Sequence, residues 1–193
     1  GRLCVRSGPP GASLREFGNQ TWSPSKACAD FVADLQYADI PAAVIDTMKR
    51  DTLDWIGCAV GGAADRSSQP IKAVADVLGG NSQATSIDCG RRNVVLAAMS
   101  NAYFGHILEM DDVDRDSISH PATPNLAAAF AAAEFAGKQG KDVLLAAVCG
   151  FEIMLRIGAA ITPAHYKIFH TTATTGVFGA AMAAGKLLDL DAI

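Results

Sequence analysis

Three alanine clusters constrain the fold of this chain more than any other feature of its sequence. Ala127–Ala129 and Ala131–Ala133 fall within one apolar segment, and Ala180–Ala181 lies in another near the end of the chain. Alanine has the highest helix propensity, and its small side chain lets helix axes approach closely. Because aromatic residues make up only 7% of the sequence, a β-sandwich core is disfavoured. We therefore predict an all-α fold, a multi-helix bundle.

Apolar spacing, proline starts and glycine stops divide the chain into seven predicted helices. They cover residues 24–35, 41–60, 70–78, 93–108, 124–136, 141–160 and 174–188. Gly61-Gly62 is expected to end the second helix, since glycine commonly follows the last helical turn. Residues 84–87 form the single strand-like stretch, expected to be one side of a small hairpin.

The first 22 residues differ in composition from the rest. They contain Arg2, Arg6 and Arg15 but a single acidic residue, Glu16. Such composition is typical of organellar transit peptides, and a non-native leader has it too. We predict a disordered or transit-like segment over 1–22 and a helical domain over 23–193.

Charge and cysteine content limit the partners and the compartment. The net charge is −4, and the longest basic runs are the pairs Lys49-Arg50 and Arg91-Arg92. Nucleic-acid backbones require clustered cations, so we expect no nucleic-acid partner. The five cysteines are odd in number and form no CxxC pair. This pattern favours a reducing compartment, either the cytoplasm or the mitochondrial matrix, over secretion.

The most apolar tract, residues 143–161, resembles a membrane span in length. It contains Glu152 and Arg156, an i,i+4 pair that suits a helix in the core of a protein. We therefore expect no membrane partner.

Residues 101–121 concentrate titratable side chains. Five carboxylates and two histidines fall within fifteen residues: Glu109, Asp111, Asp112, Asp114, Asp116, His106 and His120. Neighbouring carboxylates raise one another's pKa unless a cation or ligand lies between them. A solvated acidic loop, with aspartates as caps and helix terminators, accounts for the same composition. Both interpretations remain open from the residues alone.

Two metal motifs fit this segment poorly. A calcium loop beginning at Asp112 would place Ser117 where glycine is required and Thr123 where the bidentate glutamate is required. In an Asp-Asp-x-x-Asp magnesium motif beginning at Asp111, the third acid comes one position early. We predict no metal site, and a magnesium-dependent all-α enzyme using Asp111 and Asp112 is the least favoured alternative.

General acid–base chemistry on a polycarboxylate is the third interpretation. Histidine titrates near neutral pH and can move a proton next to a carboxylate. Because Pro121 restricts the residue before it to extended backbone, the imidazole of His120 would project from a fixed position. His170 precedes a Thr- and Gly-rich loop, residues 171–176, whose N–H groups and hydroxyls could hold a carboxylate. Threonines that cap the last helix would explain that loop equally well.

Several of these motifs together resemble the MmgE/PrpD family, which includes 2-methylcitrate dehydratase, cis-aconitate decarboxylase and iminodisuccinate epimerase. They are Asp51–Cys58, Asn101-Ala102, His106, Glu109–Asp112, His120-Pro121 and Phe169–Ala181. The resemblance covers about residues 24–193. It implies a cofactor-free lyase with its active site between a large helical domain and a smaller α+β lid, and a homodimer formed through the helical domain.

The resemblance also implies catalytic roles. His120 matches the family's active-site histidine before proline and would be the acid/base. Glu109, Asp111 and Asp112 would orient His120 and shape the pocket. Glu109 stands where many members have aspartate.

Three further residues would contact the substrate. His170 matches the family histidine before the Thr/Gly segment and would contact a substrate carboxylate, with Thr171 beside it. Val113, where the dehydratase and decarboxylase branches typically have threonine, would lie in the pocket wall.

The family's lysine segment and lid are not found up to Ile193. We therefore expect this chain to be part of a lyase for a small di- or tricarboxylate and to be inactive in isolation. Dehydration, decarboxylation and epimerisation all begin with proton chemistry next to a carboxylate, so the reaction type stays open. The alternative is a non-catalytic, truncated paralogue that serves as a helical dimerisation or interaction module.

Overall fold

In the computed structural model, residues 23–88 and 90–192 are described, and they form a helical bundle. The helices are α1 (Pro24–Asp34), α2 (Ala42–Ala64), α3 (Gln69–Leu78), α4 (Val94–His106), α5 (Ala122–Ala136), α6 (Gly140–Ile161) and α7 (Thr171–Leu187). The strands β1 (Ala84–Ser86) and β2 (Gly90–Arg92) pair antiparallel. The predictions of an all-α fold and a small hairpin are confirmed. The segment predicted to be transit-like, 1–22, lies outside the described residues.

Helix α5 lies at the centre of the bundle, where it contacts α2, α4, α6, α7 and β1. The alanines on several of its sides are buried, in agreement with the close helix packing predicted from them. Trp55 of α2 stacks on Phe130 of α5 with ring centroids 5.6 Å apart, and Trp55 is almost completely buried. Large aromatic side chains thus fill the spaces that the alanines leave.

Helix α6 is long and apolar enough, by length and composition, to cross a membrane. In the fold, 56% of its most apolar stretch is buried, and it packs against α7 and α5. The core helix of a bundle has these same properties, so its apolar character is explained by packing.

The hairpin is fixed to α4 by a single buried amide. The Nδ2 of Asn101 donates to the carbonyl of Thr85 at 2.8 Å, and its Oδ1 accepts from the backbone N–H of Ile87 at 2.9 Å. Asn101 therefore completes the hydrogen bonding of a strand edge that would otherwise be unpaired. This structural role accounts for an asparagine inside an otherwise apolar helix.

The prediction that Gly61-Gly62 ends α2 is wrong, because the helix continues to Ala64. A side chain at Gly62 would overlap the backbone carbonyl of Phe104 in α4. The glycine is therefore needed for the close approach of α2 and α4, which local helix propensity cannot reveal. That approach sets the position of the last turn of α4, where the functional site begins.

We expect Gly62→Ala to lower the free energy of unfolding by about 1–3 kcal/mol, since backbone atoms of two helices would have to separate. Gly57→Ala is the matched control in the same helix, because nothing lies within 4 Å of the added methyl group. That control should raise stability by roughly 0.5–1 kcal/mol through helix propensity. Chemical denaturation of both variants measures the difference, and equal effects at the two positions would contradict this account of the α2–α4 contact.

Candidate active site

Three histidines from distant parts of the sequence meet at one end of the bundle. His106 ends α4, His120 shortly precedes α5, and His170 immediately precedes α7. The ring centroids of His106 and His120 lie 4.8 Å apart, and the ring of His170 lies 6.0 and 6.4 Å from them. The packing of α5 against α4 and α7 produces this arrangement.

A buried carboxylate connects two of these rings. The side chain of Asp111 has no exposed surface, and its Oδ1 lies 3.0 Å from Nδ1 of His106 and 3.5 Å from Nδ1 of His120. The hydroxyl of Thr123 donates to the Oδ2 of Asp111 at 2.7 Å. With its Nδ1–H donating to Asp111, His106 is held in one orientation, as expected for a histidine beside a buried acid.

The same contacts determine the charges. Burial alone would raise the pKa of Asp111, but hydrogen bonds from His106 and Thr123, and the positive charges of His106 and His120, lower it below its ordinary value. In turn, the hydrogen bond to Asp111 raises the pKa of His106, and its own burial only partly opposes this. The pair thus favours an ionised aspartate beside a protonated imidazole.

His120 is held mainly through its backbone. Its N–H donates to the hydroxyl of Thr172 at 2.9 Å, which ties the start of α5 to the first turn of α7. Its Nδ1 is buried and makes no hydrogen bond. His120 therefore has a fixed backbone and one ring nitrogen directed towards Asp111, as a candidate acid/base requires.

Helix α7 begins three residues earlier than predicted. Residues 171–173 form its first turn and are not a loop, and His170 is the N-cap residue. Thr171 and Thr175 are completely buried, and the hydroxyl of Thr175 donates to the carbonyl of Thr171 at 2.8 Å. Burial of these threonines outweighs their low helix propensity. Thr171 lies inside the fold, and Thr172 is the threonine that touches His120.

Glu109 and Val113 lie at the outer edge of this site. The carboxylate of Glu109 is 73% exposed and 3.7 Å from Nε2 of His106, and its backbone has a φ of 51°. Val113 is 62% exposed and is not among the described residues that line the cavity. The structure therefore brings Glu109 near the histidines and leaves Val113 on the surface.

Asp112 faces a different part of the fold from Asp111. Its carboxylate accepts a hydrogen bond from the N–H of Ala122 at 2.9 Å, at the N-terminus of α5. Burial, and to a smaller extent the nearby Asp51, Asp111 and Asp54, raise the pKa of Asp112 to about 7, although the hydrogen bond from Ala122 lowers it. This interaction explains why α5 begins at Ala122, two residues before the predicted start.

Asp114 organises the loop through its side chain and its backbone. Its Oδ2 accepts from the backbone N–H of Ser117 at 2.8 Å and from the Ser117 hydroxyl at 2.7 Å. Its own backbone pairs with Ser119 in an isolated antiparallel bridge. The aspartate spacing therefore reflects a side-chain-stabilised turn.

Among the described residues, three side chains are close enough to share a metal ion: those of His106, Asp111 and His120, with ligand atoms within 4.8 Å of one another. Such a donor set suits a transition metal better than magnesium. Asp112, which the magnesium alternative requires, is not in this group. A hydrogen bond joins His106 to Asp111, and a charge interaction at 3.5 Å joins Asp111 to His120.

A cavity of about 380 Å³ opens beside two of the three histidines, and His120 is not among the described residues that line it. His106 and His170 line it, together with Thr123 and Thr172. Its remaining walls come from apolar residues of α4, α5 and α7. The cavity thus joins a polar, titratable end to an apolar interior, in the size range of small-molecule sites.

Sequence reasoning missed the direct roles of three residues. His106 appeared only as part of a motif, although it contacts Asp111, and the contacts of Thr123 and Thr172 had no sequence signal. The separation of His106 and Asp111 spans a helix end, where helical periodicity no longer predicts which side chains meet.

The raised pKa of Asp112 predicts an unusual dependence of stability on pH. Between pH 4 and about 7 the folded state retains a proton that the unfolded state loses, so stability falls as pH rises. Asp112→Asn keeps the acceptor for Ala122 and removes the titration. We expect denaturation midpoints of this variant to be flatter with pH, and at pH 8 its stability to exceed that of the wild type by on the order of 2–4 kcal/mol.

Asp46→Asn provides the control, because it removes an exposed carboxylate from α2. Its pH profile should follow that of the wild type. If Asp112→Asn follows it as well, the proposed protonation of Asp112 in the folded state is incorrect.

The Asp111–His106 contact gives a prediction that NMR can test. Replacing Asp111 with asparagine removes the carboxylate that raises the pKa of His106, so the titration midpoint of this imidazole should move to lower pH. His165, which contacts Thr174 and Phe169, serves as an internal reference and should not shift. An unchanged midpoint for His106 would show that another group controls its charge.

Comparison with known proteins identifies the family of this chain. The family described as MmgE/PrpD N-terminal domain matches residues 26–193. Cis-aconitate decarboxylase of Aspergillus terreus is 35% identical over 168 residues, which cover 83% of this chain and 34% of that protein. Cis-aconitate decarboxylase-like protein oryM of Aspergillus oryzae is 35% identical over 172 residues, covering 83% and 36%. The chain spans about a third of the length of these curated relatives. It belongs to the MmgE/PrpD family and matches the N-terminal domain of that family.

Proposed function

We propose that this chain supplies the histidine side of a lyase active site, at which a proton is moved next to a carboxylate of a small di- or tricarboxylate. The observation that carries the proposal is the single buried carboxylate of Asp111 in contact with both His106 and His120. Two imidazoles that share one counter-ion can hold different protonation states, as proton transfer requires.

The roles follow from the contacts. His120, with a fixed backbone and its Nδ1 directed towards Asp111 at 3.5 Å, is the proposed acid/base and would act through its other ring nitrogen. His106, whose pKa is raised, is a cation that can pair with a substrate carboxylate. His170 lines the same cavity, with its ring 6.0 Å from that of His106, and is the proposed second contact for a carboxylate. Glu109 would act through His106, as a positioning residue at the rim.

The names of the relatives favour decarboxylation within this class. Loss of CO₂ from an unsaturated tricarboxylate leaves a carbanion that must be protonated next to a carboxylate, and a positioned imidazolium can supply that proton. Dehydration needs the same imidazole as a base, so the site supports the proton step whichever bond breaks.

The test is an assay of the full-length natural protein that contains these residues, with cis-aconitate and 2-methylcitrate followed by NMR in D₂O. From cis-aconitate we expect product that carries deuterium next to a carboxylate, because decarboxylation ends with protonation of carbon. Dehydration of 2-methylcitrate removes a proton from carbon, so its product should form without added deuterium. His120→Gln should lower kcat by roughly 10²- to 10⁴-fold, the usual contribution of a positioned acid/base. His165→Gln, whose ring contacts Thr174 and Phe169 outside the cluster, should leave kcat unchanged.

Undiminished turnover by His120→Gln would overturn this assignment. Turnover of neither substrate by a folded, full-length protein would leave the alternative of a non-catalytic helical module as the better description.

A further inference from the structure

The side chains of His106, Asp111 and His120 converge on one point of the candidate site. The Oδ1 of Asp111 lies 3.0 Å from Nδ1 of His106 and 3.5 Å from Nδ1 of His120, so both imidazoles direct the same nitrogen towards one carboxylate oxygen. The Nδ1 of His120 is buried and makes no hydrogen bond with the described residues. This nitrogen therefore has a lone pair or a proton for which these residues provide no partner.

The distances between these atoms suit a shared metal ion. Zinc binds imidazole nitrogen and carboxylate oxygen at about 2.0–2.2 Å in tetrahedral geometry, which separates neighbouring ligand atoms by roughly 3.3 Å. The two measured separations, 3.0 and 3.5 Å, lie on either side of this value. All three ligand atoms lie within 4.8 Å of one another, so rotation of one imidazole completes the set.

The surroundings orient these ligands and favour a cation. The hydroxyl of Thr123 donates to Oδ2 of Asp111 at 2.7 Å, which leaves Oδ1 for an ion. The carboxylate of Glu109 lies 3.7 Å from Nε2 of His106, on the ring nitrogen that faces away from Asp111. Metal-bound histidines commonly have such a carboxylate behind them. No lysine or arginine is among the described residues that line the adjoining cavity, so nothing there repels a dication.

We propose that His106, Asp111 and His120 bind a transition-metal dication of the zinc class, and that the bound ion inhibits the proton transfer of the proposed function. The inhibition rests on the proposed function, whereas the binding does not. Because zinc binds a deprotonated ring nitrogen, the ion takes the place of the proton between His106 and Asp111. Two nitrogen donors suit zinc, whereas magnesium and calcium prefer oxygen ligands, as the two sequence motifs considered above require.

Calorimetric titration of Zn²⁺ into the full-length natural protein, first freed of metal with a chelator, tests the site. His106→Gln and Asp111→Asn should each weaken the zinc Kd by more than about 100-fold, because loss of a supporting contact alone commonly costs about 10- to 100-fold. Thr123→Val removes only such a contact and should weaken the Kd by about 10- to 100-fold. Thr123→Ser keeps the hydroxyl and should restore the affinity. Mg²⁺ at the same concentrations should not displace the zinc.

Two control variants exclude other donors. Cys58 is a partly buried free thiol whose pKa is raised in part by the charge of Asp111, and Cys58→Ala should leave the zinc Kd unchanged. His170 is outside the group of three ligands, so His170→Gln should also leave it unchanged, although this variant removes a proposed substrate contact. Thermal unfolding without metal identifies the variants that fold. Unchanged zinc affinity in folded His106→Gln and Thr123→Val overturns the metal site.

Turnover measurements separate this inference from the proposed function. With cis-aconitate, saturating zinc should abolish turnover and a chelator should restore it. Thr123→Val should require about 10- to 100-fold more zinc for the same inhibition. Undiminished turnover at saturating zinc overturns the inhibition. Zinc binding with the expected variant pattern, in a protein that turns over neither cis-aconitate nor 2-methylcitrate, upholds the metal site and contradicts the proposed function.

Discussion

The ionised carboxylate of Asp111, fully buried where α4, α5 and their connecting loop meet, is the interaction on which the site depends. A buried charge is tolerated only when it is paired and hydrogen-bonded. Asp111 meets this requirement with Thr123 of α5, His106 of α4 and, at a longer distance, His120. Satisfying one charge therefore fixes two imidazoles and joins two helices. The glycine contact of α2 with α4 matters for the same reason, because it sets the position of His106.

Neighbouring aspartates of the acidic segment have different interaction partners because successive loop residues face different parts of the fold. Asp111 pairs with histidines, Asp112 accepts from the N-terminus of α5, and Asp114 closes a turn with Ser117. Their environments push the pKa of Asp111 down and that of Asp112 up to about 7. The repulsion expected from composition is seen at Asp112, whose pKa Asp111 helps to raise, whereas hydrogen bonds and the histidines offset it at Asp111.

The helices, and the motifs that contain the three histidines, could be predicted from the sequence. Alanine-rich and periodic segments predict helices through local propensity, and α4 to α7 are found within a few residues of the expected bounds. Local structure that depends on contacts with residues distant in the chain could not be predicted in this way. Gly62 continues a helix because Phe104 lies against it, and Thr171 is helical because it is buried. The contact of Thr172 with His120 joins elements far apart in the chain, and no local pattern encodes it.

The described residues that line the cavity provide little positive charge. Asp111 and Glu109 place two carboxylates beside His106, whereas the described residues that line the cavity include no lysine or arginine. The tricarboxylate of the proposed function would add up to three negative charges to this space. Neutralising such a substrate in a partly buried site requires further positive charge. The curated relatives are about three times the length of the matched region. Under the proposed function, the described residues beside Asp111 would supply the proton chemistry, and much of the substrate's negative charge would be neutralised by other groups.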